Sequence, residues 1–162
     1  MLAHIAGPAS AVRAHEELFG YWASLRAAGR LPGRRDIDPG RFKRHLPTVS
    51  LIDVRRDPLE FRIRLAGTGL YGVFGREITG LALEQVHGPA EAAAWRRELT
   101  AVAERGRPGV GLTPLAGAEA SGLSVMWLRL PLASDGRTVD MILGYDAVIG
   151  SLRSAPTGIR AA

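Results

Sequence analysis

The sequence predicts an α+β domain: an antiparallel sheet with helices over one face and an extra amphipathic helix at the N-terminus. Three observations carry this reading. Two β-rich runs flank a polar turn early in the chain, and three more close it. Stretches with helical spacing of apolar residues, bounded by Gly and Pro, precede and separate these runs. At 162 residues the chain is the length of one domain. Hydrophobic residues make up 46% and charged residues 23%, the balance of a folded chain rather than a disordered one.

The first nine residues (1–9) carry no periodic pattern and are expected to be poorly ordered. From Ser10 to about Ala28 the spacing turns helical. Leu18, Phe19, Trp22 and Leu25 fall at i, i+1, i+4 and i+7, one apolar stripe. Ser10 suits an N-cap, and Gly29 and Pro32 supply the stop. Asp36-Ile37-Asp38-Pro39 opens a short second helix: Asp38 accepts from the first free amides and Pro39 takes the first helical position. Pro47 ends it, with Phe42 and Leu46 facing inward. Residues 10–46 thus form an N-terminal helical extension to a core of 47–150.

Residues 48–54 and 59–66 are β-rich, and Arg55-Arg56-Asp57-Pro58 between them marks a turn. Phe61, Ile63 and Leu65 alternate with Arg62 and Arg64, so the three apolar residues are expected on a core face and the arginines away from it. The Gly-punctuated stretch 67–88 has room only for short helical turns, around 70–74 and 82–85. Pro89 then opens a long helix to about Arg105, with Trp95, Leu99 and Val102 on one face and Gly106 and Pro108 as the stop. Strands are expected at 110–115, 123–132 and 139–149. Ser134-Asp135-Gly136-Arg137 joins the last two, and Asp-Gly suits the positive φ angles of a type I′ turn. The strand around Trp127 is apolar on both faces, which calls for a cover on its outer side; the Leu18/Trp22/Leu25 helix can supply it. Residues 151–162, small and polar, are expected to form a flexible tail.

Composition removes several classes of function. There is no cysteine, which excludes a disulfide scaffold, thiolate zinc or iron–sulfur sites, a Cys nucleophile and any Cys-linked flavin or chromophore. The net charge is +5, but the 21 basic residues, of which Lys43 is the only lysine, are spread along the chain among acids. Without a basic run, nucleic acid is not the expected partner. No uncharged stretch approaches the roughly 20 residues of a membrane span, and without a basic region ahead of an apolar run at the start no secretory signal is expected. The expected setting is the cytoplasm.

The order of elements, two strands, several short helices, a long helix and three strands, resembles that of a PAS domain. The motifs go further. Tyr21-Trp22, Leu31-Pro32, Asp36-Ile37-Asp38-Pro39, Leu46-Pro47, the run Phe61 to Thr68, the run Phe74 to Gly80 and Leu130-Pro131-Leu132 resemble a bacterial subfamily of single-domain PAS proteins without known function. The resemblance implies a five-stranded sheet in the order 2-1-5-4-3, with a pocket between one face and the helices. It implies a sensor or signal-relay domain that binds a small molecule there, signals through protein contacts and carries no catalytic residues. A pure interaction module with a filled core is the alternative.

In that setting Tyr71, Phe74, Trp95 and Trp127 are the large side chains expected to border the pocket, although aromatics at helical spacing also simply build cores. His87 is placed to enter the pocket; a lone histidine with no second ligand does not make a metal site, and haem is not expected. Arg64 can bind an anion or pair with an acid on a neighbouring strand. The Leu18, Phe19, Trp22 and Leu25 face, or the outer face of the sheet, is expected to form a homodimer, with an unidentified effector protein downstream. Gly67-Thr68-Gly69-Leu70-Tyr71-Gly72 matches a dinucleotide fingerprint, but Gly75 and Gly80 break the helix such a site needs. A tight strand-to-helix turn is the simpler reading.

Overall fold

The computed structural model describes residues 4–115, 117 and 122–150. In chain order they form β1 (Ile5–Ala6), α1 (Pro8–Ser24), two 3-10 segments (Arg34–Asp36 and Pro39–Thr48), β2 (Val49–Arg55), β3 (Glu60–Ala66), α2 (Leu70–Phe74), α3 (Leu83–Val86), α4 (Pro89–Arg105), β4 (Gly109–Pro114), β5 (Ser124–Leu132) and β6 (Met141–Ile149). The five long strands lie in the order β3-β2-β6-β5-β4, all antiparallel. Counting only these five, that is 2-1-5-4-3, as expected. The N-terminus departs from expectation. Ile5 and Ala6 add a short parallel strand beside Val148 and Ile149, and α1 begins at Pro8. The expected tail lies outside the described residues.

Direct pairing across antiparallel strands puts partners on one face. Ile52, Ile63, Phe61, Trp127, Arg129, Ile142 and Asp146 share the inner face, toward α2, α3 and α4. Val49, Leu51, Leu128, Leu130, Leu143 and Tyr145 share the outer face, and α1 lies across it. The sheet is thus covered on both sides, which is why β5 and β6 are apolar on both. Ala11, Ala14, Leu18 and Trp22 form the buried stripe of α1. The Trp22 indole donates to the Pro131 carbonyl oxygen at 2.9 Å. β4 starts opposite Arg129, so the Pro131 carbonyl meets no strand on that side, and proline, with no N–H to lose, is tolerated there.

Three local expectations are corrected. α1 ends at Ser24, four residues early, because Ala28 and Gly29 take positive φ (49° and 75°) and turn the chain back. The 134–137 turn is not type I′. Only Gly136 has positive φ, and the Asp135 carboxylate accepts from the Arg137 and Thr138 amides at 2.7 Å, building a longer loop. Leu65 does not share a face with Ile63. A β-bulge opposite Leu51/Ile52 shifts the register, turning Leu65 to the outer face, where it is 48% exposed. Among the described residues no helix is long and apolar enough to cross a membrane.

Candidate functional site

The inner face carries two charged side chains in its most buried strands. Arg129 on β5 and Asp146 on β6 are each about 5% exposed and paired, Nη2 to Oδ1, at 2.8 Å. Arg129 Nη1 also donates to the carbonyls of Leu128 at 2.9 Å and Tyr145 at 3.2 Å. Its guanidinium lies 4.7 Å from the Trp95 ring centroid and 5.7 Å from that of Trp127, within reach of cation–π attraction to both. The two indoles meet edge to face at 5.1 Å. Glycines make room for this stack. A side chain on Gly111 would collide with the Trp127 ring, and one on Gly144 would press on Ser50 and Arg129.

Beside the stack lies a cavity of about 150 Å3, walled by Phe74, His87, Glu91, Trp95, Arg129 and Asp146 among others. α3 ends at Val86 and α4 starts at Pro89, and the bend between them presents His87. Its ring sits 5.9 Å from Trp95, near-parallel, and 5.7 Å from Phe74, edge-on. His87 Nδ1 lies 3.2 Å from Glu91 Oε1, an ion-pair contact when the ring is protonated, and among the described residues it makes no well-angled hydrogen bond. Burial holds the His87 pKa below its ordinary value, with Glu91 pulling the other way. Among the described residues Arg129 Nε and Trp127 Nε1 are also buried without a hydrogen bond. Of the wall, Arg129 and Asp146 escaped sequence reasoning. The available signal was a single charged residue set inside each of two long apolar strands.

Phe74, His87 and Trp95 come together at the cavity, and Trp127 backs it. Tyr71 is 49% exposed and lies outside. Arg64 is on the outer side of the sheet's edge, bonded to Asp53 at 3.4 Å, the cross-strand pairing rather than an anion site. On α1, Leu18 and Trp22 are 1% exposed, so they pack within the protomer and offer nothing to a dimer; Leu25 is half-buried, and Phe19 at 46% is open. The glycines of the 67–72 motif serve close packing. Gly67 N–H donates to Val49 O and Gly69 N–H to Pro47 O at 2.8 and 2.7 Å, and a side chain on either would collide with Pro47. Those amides are occupied, and the five-residue α2 that follows offers no phosphate cradle. Among the described residues no cluster of three or more metal-ligating side chains occurs.

A family model for the PAS domain matches residues 10–146. The fold recurs in solved structures. The LOV protein of Rhodobacter sphaeroides aligns at a TM-score of 0.51 and 19% identity, over 74% of this chain and 71% of that one. A PAS domain from Colwellia psychrerythraea aligns at 0.51 and 13%, over 68% and 95%. A light-oxygen-voltage domain studied with a flavin analogue aligns at 0.50 and 16%, over 68% and 83%. At these identities the likeness is one of fold. No curated protein sequence matches.

Proposed function

The chain belongs to the PAS domain family, and from that membership we propose that it is a sensory module that binds a small polar molecule beside α4 and relays the signal through protein contacts, without chemistry of its own. The cavity carries this reading. Four ionisable side chains wall it; among the described residues Arg129 Nε is buried without a hydrogen bond, and His87 Nδ1 has only the Glu91 carboxylate beside it. Buried polar atoms are nearly always satisfied, and a ligand accepting from Arg129 Nε and meeting His87 Nδ1 supplies the missing hydrogen bonds. A volume of about 150 Å3 holds on the order of five or six non-hydrogen atoms.

A flavin or haem is not part of this reading, because the cavity beside α4 is small, about 150 Å3. Pockets for larger ligands start at roughly 300 Å3, and Trp95, Trp127 and Arg129 take up the space above the sheet. Without cysteine there is no thiol adduct to a flavin either. The same stack favours the second reading, an interaction module with a filled core.

For the relay, we read the outer side of the molecule as a homodimer surface. Phe19 and Val12 stand on the flank of α1 opposite Tyr21, which meets Phe42 of the 3-10 segment. Val110 and Leu112 of the edge strand β4 pair with Leu128 and Met126, on that same face. All four side chains are more than 40% exposed. Output then passes to an unidentified effector protein. A cytoplasmic setting without nucleic acid is part of this reading, supported by basic residues dispersed among acids along the chain.

Native mass spectrometry of the purified full chain, with a denatured control, tests the reading. The expected species is a dimer heavier than two chains by a small molecule that is lost on denaturation. Bare chain masses, with no compound from a panel of small polar molecules raising the unfolding temperature, put the interaction module in its place.

A further inference from the structure

On the outer face, away from the sensory cavity, the geometry points to a second ligand site, one for a single-chain amphipathic anion such as a fatty carboxylate. A groove of about 520 Å3 runs between the sheet and the 3-10 segment Pro39–Thr48, inside the size range of small-molecule sites. Its floor is Leu51, Leu65 and Leu143; Phe42 and Leu46 form the wall. Two features of the chain create it. The β-bulge turns Leu65 outward onto this face. Gly67, lacking a side chain, lets the end of β3 pass tight under the Leu46 and Pro47 carbonyls, which closes one end.

The occupant follows from charge. Apart from the Thr68 hydroxyl, the polar side chains that line the groove are Arg34 and Lys43, both exposed and both cationic. Lys43 has no partner among the described residues, and Arg34 makes only a 3.4 Å bond to the Ile37 carbonyl. No carboxylate lines the groove. The acids nearest in sequence are engaged elsewhere: Asp36 accepts from the Gly33 amide and Asp38 from the Gly40 amide, each at 2.8 Å. An apolar slot with two free cations at its rim suits an alkyl chain that ends in an anionic head. A protein partner would meet a recess here rather than a surface, and a cationic or neutral lipid would leave both charges unanswered.

Titration calorimetry of the full chain with dodecanoate, below its micelle concentration, and with dodecan-1-ol as the neutral control tests this. Dodecanoate is expected to bind one to one, and more tightly than the alcohol by about tenfold. The double variant Arg34→Glu/Lys43→Glu is expected to erase that difference. Leu65→Glu, at an exposed position the fold tolerates, is expected to abolish binding of both with the unfolding temperature within a few degrees of the parent. Amide chemical shifts on binding should move at Leu51 and Leu143 and stay fixed at Trp95 and Val125. No binding by the parent, equal affinity for acid and alcohol, or shifts centred on Trp95 would each overturn the proposal.

Discussion

Arg129 and Asp146 sit where the sheet is most apolar, and each is tolerable only because the other is there. Removing a charge from water costs several kcal/mol, and the pair recovers this through one short ion pair and two carbonyl contacts. Arg129→Met is therefore expected to cost about 3–5 kcal/mol, because Asp146 is left buried and uncompensated. The double variant Arg129→Met/Asp146→Leu should regain most of that loss. Urea unfolding of the singles and the double gives the coupling, and additive losses would refute the dependence. Such a pair is hard to assign from sequence because its partners are 17 residues apart and diagonal across two strands. The local pattern shows a lone charge in each strand but not which face it takes. Leu65 was illegible for a related reason. Its alternation with Ile63 is intact in the sequence, and the bulge that turns it over belongs to the pairing with β2. His87 and Trp95 were legible, since Pro89 and Gly106 fix the ends of α4 and so its register.

At the scale of elements, α1 has two working sides. Ala11, Ala14, Leu18 and Trp22 close the outer face of the sheet, while Val12 and Phe19 are left open to solvent. The helix itself was legible from its 3.6-residue period, but the period centres the stripe only to within a residue. It grouped Phe19 with Trp22, and packing separates them. The two sides make separate predictions. Trp22→Ala is expected to destabilise the fold by about 3–5 kcal/mol, through the cavity and the lost bond to Pro131. Phe19→Glu should change stability by no more than about 0.5 kcal/mol, as surface substitutions do, while converting the dimer we propose to monomer. Denaturant unfolding reads the first and light scattering the second. A Phe19→Glu protein that stays dimeric would move the interface elsewhere.

The molecule as a whole carries one buried histidine on each side of its sheet. His15 of α1 meets Tyr145 edge-on at 5.5 Å, its ring nitrogens buried without a well-formed hydrogen bond among the described residues, and His87 lies under α4. Burial lowers the pKa of both from the ordinary 6.5. The folded state therefore binds fewer protons than the unfolded state once the pH drops below about 6.5, and stability falls with pH from there. Tyr145 works in the opposite direction. Burial raises its pKa above the ordinary 10.0, so the unfolded chain loses that proton first and stability falls as the pH rises past 10. The exposed carboxylates of Glu17, Glu77, Glu84 and Asp135, whose pKa values hydrogen bonds lower, take effect as the pH falls through the ordinary carboxylate range of about 4–4.5. The unfolding temperature should thus be flat from about pH 7 to 9 and begin to decline between pH 6.5 and 5.5, above the range where carboxylates titrate. His15→Phe keeps the ring contact with Tyr145 and removes the proton site, so it should flatten part of the acid limb and leave the alkaline limb in place. A profile still level at pH 5 in the parent chain would mean that the two imidazoles reach water in the folded state, and that neither face is closed as described.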